Sequence, residues 1–467
     1  MKISLIFPPI EGYENKIPPI GLAYLASIIL QEGAEVAIHD LNISNESLDN
    51  SISKILAENP DLIGISSSTP AVPKTLEIAE KIKKINSKIK IIVGGPHASI
   101  LYQELLDSPW IDFCARGEGE NIMREIVRCF KNKKPLAKIL GISYKRNKKI
   151  ISNSDMPLIE NLDSLPFPAW YLFDLKKYKN FVSNEKLSLP IVTSRGCPFN
   201  CTFCYKGIFG KRWRFRSPKN IIEELKYIIK KFHIEEFSIA DDNFTLNPKR
   251  AIEFCEHIIK NKIKIKWRCT NGIRADLASH KLFNTMKMAG CYLVAFGVET
   301  GDEEILKKIN KGETINQIKN AFKIAKEEKL ETLGFFMFGN LGENEKTMEK
   351  TIRLAKEINP DYAQFSIATP FPGSAMFWEI KKNGKFLINS WKDYVFYEGK
   401  PIFYYPGLDT NIITKMYQKA YLGFYIRPTY IYRWLKKILV NPEKIKNLFL
   451  GLRQYLNMSF VKRKNRS

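Results

Sequence analysis

Through residues 1–135, short β-rich runs alternate with longer stretches whose apolar residues recur at helical spacing. Strands are expected at Lys2 to Phe7, Glu35 to His39, Asp61 to Ser66, Lys90 to Val93 and Ile111 to Ala115. Helices are expected at Gly21 to Gln31, Leu48 to Glu58, Pro73 to Ile85, Ser99 to Leu106 and Glu120 to Phe130. This alternation predicts an α/β fold with a doubly wound parallel sheet. Residues 136–186 lose the pattern. Their weak β signals and the Leu165-Pro166-Phe167-Pro168-Ala169-Trp170 run predict an ordered strap connecting two modules.

A second alternation fills residues 187–385. Strands are expected to begin near Ile191, Glu236, Ile263, Tyr292, Thr332 and Tyr362, and helices near Pro218, Pro248, Asp276, Glu303, Ile315 and Glu345. Ser217-Pro218 and Asn247-Pro248 each place a capping side chain before a first-turn proline. Six such units predict a partial (βα)6 barrel, with its chemistry at the carboxyl ends of the strands. Residues 386–467 read as aromatic, then helical and basic. A helix after Asn441-Pro442-Glu443 aligns Ile445, Leu448, Phe449, Leu452, Tyr455 and Leu456 on one face.

Composition narrows the class. At 45% hydrophobic and 26% charged the chain is globular, and no apolar run approaches the ~18 residues of a membrane span. The first residues do not resemble a signal peptide, so a cytoplasmic protein is expected. Net charge is +24, and half of it falls after Asn411, where thirteen Lys or Arg face one acid, Glu443. Such a tail suits anionic lipid, giving an expected peripheral membrane contact through the C-terminal helix; the competing reading packs that helix on the barrel. Nucleic acid is not expected as a partner, because no recognition motif accompanies the charge.

The strand ends carry the candidate chemistry. In the first module they are Ser66-Ser67-Ser68-Thr69, Gly94-Gly95-Pro96-His97 and Gly117-Glu118-Gly119-Glu120, small polar turns suited to a nucleotide-sized ligand. In the second they include Asp241-Asp242-Asn243, Thr270-Asn271-Gly272 with Arg274 nearby, and Gly297-Val298-Glu299-Thr300. The first barrel strand runs into Cys197, Cys201 and Cys204, spaced C-x3-C-x2-C within one loop. A [4Fe–4S] cube ordinarily takes four cysteines, so three leave one iron open to a ligand. A zinc knuckle would want a fourth ligand at finger spacing. The other five cysteines, Cys114, Cys129, Cys255, Cys269 and Cys291, stand singly and read mostly as small buried thiols.

With Phe203 in the aromatic place, the cysteine run resembles the signature of the radical S-adenosylmethionine (SAM) enzymes, and the segment order of residues 1–135 resembles a cobalamin-binding domain. Over roughly residues 1–400 the chain is similar to cobalamin-dependent radical SAM enzymes, which include carbon and lipid methylases and a ring-forming enzyme of bacteriochlorophyll synthesis. The resemblance implies three cofactors: a [4Fe–4S] cluster on Cys197, Cys201 and Cys204, SAM, and cobalamin. It implies SAM contacts from Phe203, Asp241, Asp242, Arg274 and Glu299, and cobalamin contacts from Ser66, Ser67, Thr69, Gly94, Gly95 and His97. Two departures stand out. Pro8-Pro9-Ile10-Glu11-Gly12 replaces the motif bearing the usual lower cobalt ligand, leaving His97 as the nearby imidazole, and Ala240-Asp241-Asp242 replaces the usual Gly-Gly-Glu.

The expected activity is methylation of an unactivated carbon of an apolar, lipid-like small molecule, with ferredoxin or flavodoxin as electron donor. The alternatives are radical cyclisation, oxidation or carbon–carbon coupling without methyl transfer, and a non-catalytic iron–sulfur or cobalamin carrier. A methylthiotransferase is disfavoured, since residues 1–135 contain only Cys114 and Cys129 rather than the three cysteines of a second cluster.

Overall fold

The computed structural model describes residues 1–11, 16–178, 185, 187–394 and 399–440. In the first module, strands β1 (Lys2–Phe7), β2 (Glu35–Asp40), β3 (Leu62–Ser66), β4 (Lys90–Gly94) and β5 (Phe113–Ala115) are joined through helices. They lie in the order β2-β1-β3-β4-β5, all parallel. Period-two alternation sends Ile63, Ile65, Ile91 and Val93 to one face, where Ile52, Ile55 and Ile78 cover them. Ile3, Leu5, Leu62 and Ile92 face the opposite layer, built from Leu22, Ile29, Ile122 and Ile126.

The connector contributes more than a strap. Its β6 (Ile142–Arg146) and β7 (Lys149–Ser152) form a hairpin that adds to β5 antiparallel, giving a seven-stranded sheet. The proline run beyond it does strap the modules: Trp170 is fully buried, Ala169 N–H donates to Ala23 O at 3.1 Å, and Ser27 Oγ donates to Phe167 O at 2.6 Å.

The second module has β8 (Ser188–Ile191), then a short ribbon of β9 (Ser194–Arg195) and β10 (Arg214–Phe215) framing the cysteine loop. It continues with β11 (Glu236–Ile239), β12 (Lys266–Ile273), β13 (Cys291–Glu299), β14 (Glu331–Phe338) and β15 (Tyr362–Ile367). β8 and β11 to β15 pair in chain order, all parallel, as a six-stranded partial barrel. Ser217 and Asn247 cap their helices as expected, accepting from the N–H groups of Asn220 and Arg250. The helix expected near Asp276 starts at His280, because a single 3-10 turn at Ala275–Leu277 comes first.

β15 is an edge strand, and the helix Thr410–Tyr425 covers it. Tyr421 Oη accepts from Phe365 N–H at 3.3 Å and donates to Phe365 O at 3.0 Å. Tyr425 Oη does the same for Ala363, at 3.1 and 2.6 Å. Phe403 is buried in the barrel core, while Trp391 and Tyr394 turn to the first module. Phe396, Tyr397 and the helix expected after Asn441 lie outside the described residues.

Candidate active site

The cysteine loop is pinned at both ends. Gly196 has φ +86°, and a Cβ there would strike Arg212 O at 2.3 Å, so only glycine fits the turn into Cys197. Asp242 Oδ2 accepts from Gly196 N–H at 2.8 Å, Thr202 N–H donates to Ile309 O at 3.0 Å, and Lys206 Nζ reaches Cys197 O at 3.2 Å. Burial raises the Cys201 thiol, and both Cys201 and the exposed Cys204 feel the charge of Cys197. Among the described residues no three His, Cys, Asp or Glu side chains close on a single metal ion. Three neighbouring thiols on a glycine-set loop suit a larger, polynuclear centre. Phe203 packs half-buried on the barrel core. Of the remaining cysteines, Cys114, Cys255, Cys269 and Cys291 are buried and Cys129 is half-buried.

Around the loop the barrel strand ends supply charge. Asp241 is 2% exposed, with its oxygens taken by Thr193 N–H at 2.6 Å and Ser194 Oγ at 2.7 Å, while Asp242 holds the loop. Burial raises both carboxyls above their ordinary range. Arg274 pairs with Asp276 at 2.8 Å, donates to the carbonyls of Lys311 and Gly312, and stacks 3.6 Å from the Phe199 ring centroid of the cysteine loop.

Glu299 ends β13 at φ +62°, a left-handed backbone costly for a residue with a Cβ, where the pairing with β14 shifts register. Its Oε1 accepts from Lys311 Nζ at 3.2 Å, and Lys311 also lies 3.8 Å from Glu313 and beside Cys201. Sequence reasoning missed Lys311. The available signal was its turn, Asn310-Lys311-Gly312, where φ is +54° at Asn310 and +68° at Gly312. Asn243, 3% exposed, leaves Oδ1 without a hydrogen-bond partner, and a Cβ on Gly272 would meet nothing nearer than Gly297 N at 3.9 Å. A carboxylate, a buried cation, a free acceptor and room beside the cysteines fit a ligand with amine, carboxylate and ribose groups.

At the strand ends of the first module lies a cavity of about 250 Å³. Gly64, Ser66, Gly94 and Gly95 form its sheet side, Leu22 and Leu25 one helical wall, and Ile122 and Met123 the other. A Cβ on Gly95, at φ +101°, would come within 2.8 Å of Ser67 O, whereas beside Gly21 and Gly117 there is open space. An apolar slot with glycine and serine at its rim fits a flat ring on a polar tail, as in the nucleotide end of cobalamin.

Ser67, Thr69 and His97 stand apart from the lining. Ser67 Oγ accepts from Thr75 Oγ1 at 3.1 Å, and Thr69 Oγ1 lies 3.4 Å from His97 Nδ1. The His97 ring is fully buried, edge-on to Trp391 at 5.1 Å; burial lowers its pKa to about 4 and keeps it neutral.

The cysteine loop closes this slot. Val192, Arg195, Ile208 and Phe209 line it together with residues of the first module. Arg195 binds Glu118 at 2.9 Å and Glu120 at 2.6 Å, and Arg214 binds Glu118 at 2.8 Å, with all four side chains buried. Sequence reading found the Gly117-Glu118-Gly119-Glu120 turn but not its partners, which follow 75 to 96 residues later.

Comparison with known proteins accords with this geometry. Residues 191–355 match the radical SAM superfamily model and residues 10–127 the B12 binding domain model. An uncharacterized methyltransferase of Pyrococcus horikoshii is 37% identical over 436 residues, covering 92% of this chain and 93% of its own. The anaerobic magnesium-protoporphyrin IX monomethyl ester cyclase of Rubrivivax gelatinosus is 29% identical, covering 99% of this chain and 84% of its own. The solved cobalamin-dependent SAM radical enzyme OxsB, with aqua-cobalamin and SAM bound, superposes at a TM-score of 0.73 and 20% identity. That match covers 99% of this chain and 72% of OxsB and establishes the shared fold.

Proposed function

The chain belongs to the radical SAM enzymes that carry a B12-binding domain, and on that premise we propose that it methylates an unactivated carbon of an apolar small molecule. When bound, the [4Fe–4S] cluster supplies the electron that cleaves SAM, SAM the 5′-deoxyadenosyl radical that removes a substrate hydrogen, and cobalamin the methyl group.

The chain's own contribution is positional. Cys197, Cys201 and Cys204 provide three thiolates and no fourth, which keeps a coordination position for the amine and carboxylate of SAM. Lys311 offers that carboxylate a cation from a buried site, where charge is least screened. Glu299 and Asn243 offer acceptors to the ligand's amine and ribose hydroxyls. Phe203 and Arg274 steady the loop, and Asp241 and Asp242 fix its take-off from the barrel. Ser66, Gly94 and Gly95 receive the cobalamin tail, backed by Ser67, Thr69 and His97.

One observation carries this reading: Ile208 and Phe209 of the cysteine loop line the same cavity as Gly94 and Gly95. Groups held at the two sites are therefore neighbours, as transfer between them requires. The test is anaerobic turnover with dithionite, hydroxocobalamin and methyl-deuterated SAM, against porphyrins and polycyclic lipids. Expected are 5′-deoxyadenosine and S-adenosylhomocysteine rising together, with label in the product. The first without the second would shift the reading to ring formation, the activity named for the Rubrivivax relative.

We further propose two partners. The net charge of +24 favours an acidic electron donor such as ferredoxin or flavodoxin. No helix of the described residues is long and apolar enough to cross a membrane, yet the helix Pro428–Val440 is apolar on two sides. Tyr430 and Trp434 are buried, while Ile431, Leu435 and Leu439, each four residues apart, are exposed beside Tyr432. Leu439 is 83% exposed. With basic residues following to Ser467, this stripe suits peripheral contact with an anionic lipid surface.

A further inference from the structure

Two arginines frame the cysteine loop, Arg195 immediately before Gly196 and Arg214 at its far end, and each is 3 to 4% exposed. Both reach out of the barrel into one turn of the first module. Glu118 receives Arg195 at 2.9 Å and Arg214 at 2.8 Å and also accepts from Ile159 N–H at 2.8 Å; Glu120 receives Arg195 at 2.6 Å. The Arg195 guanidinium also lies over the rings of Tyr24 and Phe209, at 5.3 and 5.0 Å. Two positive and two negative charges thus balance in a buried cluster, where an unpaired charge is too costly for any member to move alone. Glu118, Glu120, Arg195 and Tyr24 also line the apolar slot. Three of the four charges, Glu118, Glu120 and Arg195, therefore line one site, while Arg195 and Arg214 flank the loop of the other.

We infer that Glu118, Glu120, Arg195 and Arg214 are positioning residues that make the slot and the cysteine loop one cooperative unit, so that filling the slot stiffens the loop. Resting on the cobalamin reading above, this adds a coupling that neither cofactor site requires by itself. A ligand seated against Tyr24 and Arg195 removes the space into which those side chains could relax. The restriction passes through the ion pairs to both ends of residues 196–213. Coupling energies of this kind typically change a partner site's equilibrium by about fivefold or more.

Hydrogen–deuterium exchange on the cluster-loaded full chain, kept anaerobic, with and without hydroxocobalamin, tests this. In the wild type, saturating hydroxocobalamin is expected to slow exchange across residues 196–216 by about fivefold or more. Glu120→Gln and Glu118→Gln, which keep the shape but remove the charge at the slot wall, are compared at hydroxocobalamin concentrations raised until the visible spectrum reports the wild-type occupancy, and are then expected to protect the loop less than about twofold. A purely structural role would loosen the loop equally with and without the ligand. Uptake by the wild type with no change in loop exchange overturns the inference, whatever the variants do. So does full protection in both variants. If the wild type takes up no hydroxocobalamin at all, the cobalamin reading fails and the coupling with it.

Discussion

Glu343 shows how the strand-end chemistry is held in place by single residues. Its carboxyl is 2% exposed; burial pushes its pKa up to about 8, against the N–H groups of Gly339 and Asn340, which hydrogen-bond Oε2 at 2.8 and 2.9 Å and pull it down. Between its ordinary value near 4.5 and about 8 the folded chain keeps a proton that the unfolded chain has released. Stability from this group therefore falls as pH rises through that window and levels off above it. Thermal melts from about pH 5 to about pH 9 should show the wild type losing more stability than Glu343→Gln, whose amide does not titrate. Equal pH slopes would mean that Glu343 is ionised throughout. Thr300, which follows the left-handed Glu299, donates to the other Glu343 oxygen at 3.4 Å, so this carboxyl also steadies the end of β13.

Among the elements, β15 leans on the helix Thr410–Tyr425. Its outer backbone groups would meet solvent as an exposed edge, but Tyr421 and Tyr425 satisfy one residue each. Tyr425→Phe should cost about 1–3 kcal/mol, read as a lower melting temperature with the cluster's visible absorption unchanged. The Tyr421→Phe/Tyr425→Phe pair should cost more and add self-association, measured by light scattering. No loss in either variant would mean that water replaces the hydroxyls without cost. Most strands were legible as local apolar runs, though β12 begins at Lys266 rather than near Ile263, whose N–H still bonds the preceding helix at Ile258 O; the cysteine loop was legible because its three thiols lie within eight residues. Gly94-Gly95 was legible as a turn because glycine declares its backbone freedom in the sequence. The β6–β7 hairpin was faint, since Ser143, Lys145 and Arg146 dilute its alternation. Only its Asn310-Lys311-Gly312 turn marked Lys311, and the Arg195–Glu118 pair was invisible, because nothing local distinguishes a glutamate or arginine that will be buried against a distant partner.

For the whole molecule, the distribution of charge and exposed apolar surface argues for an orientation. Co-sedimentation should recover the wild type with phosphatidylglycerol vesicles, and less with phosphatidylcholine or at raised salt. Leu435→Glu/Leu439→Glu should lose about tenfold of that binding while still cleaving SAM. Equal recovery of variant and wild type would remove the membrane contact. The hairpin also has a practical consequence. Its two strands come from the connector but complete the first sheet, and Asn153 Nδ2 then ties back to the carbonyls of Ala137 and Ile139 at 2.8 and 2.7 Å. A gene fragment stopped at residue 135 would strip β5 of its outer partner and yield a sticky, half-finished sheet; cutting beyond Asn153 spares that edge.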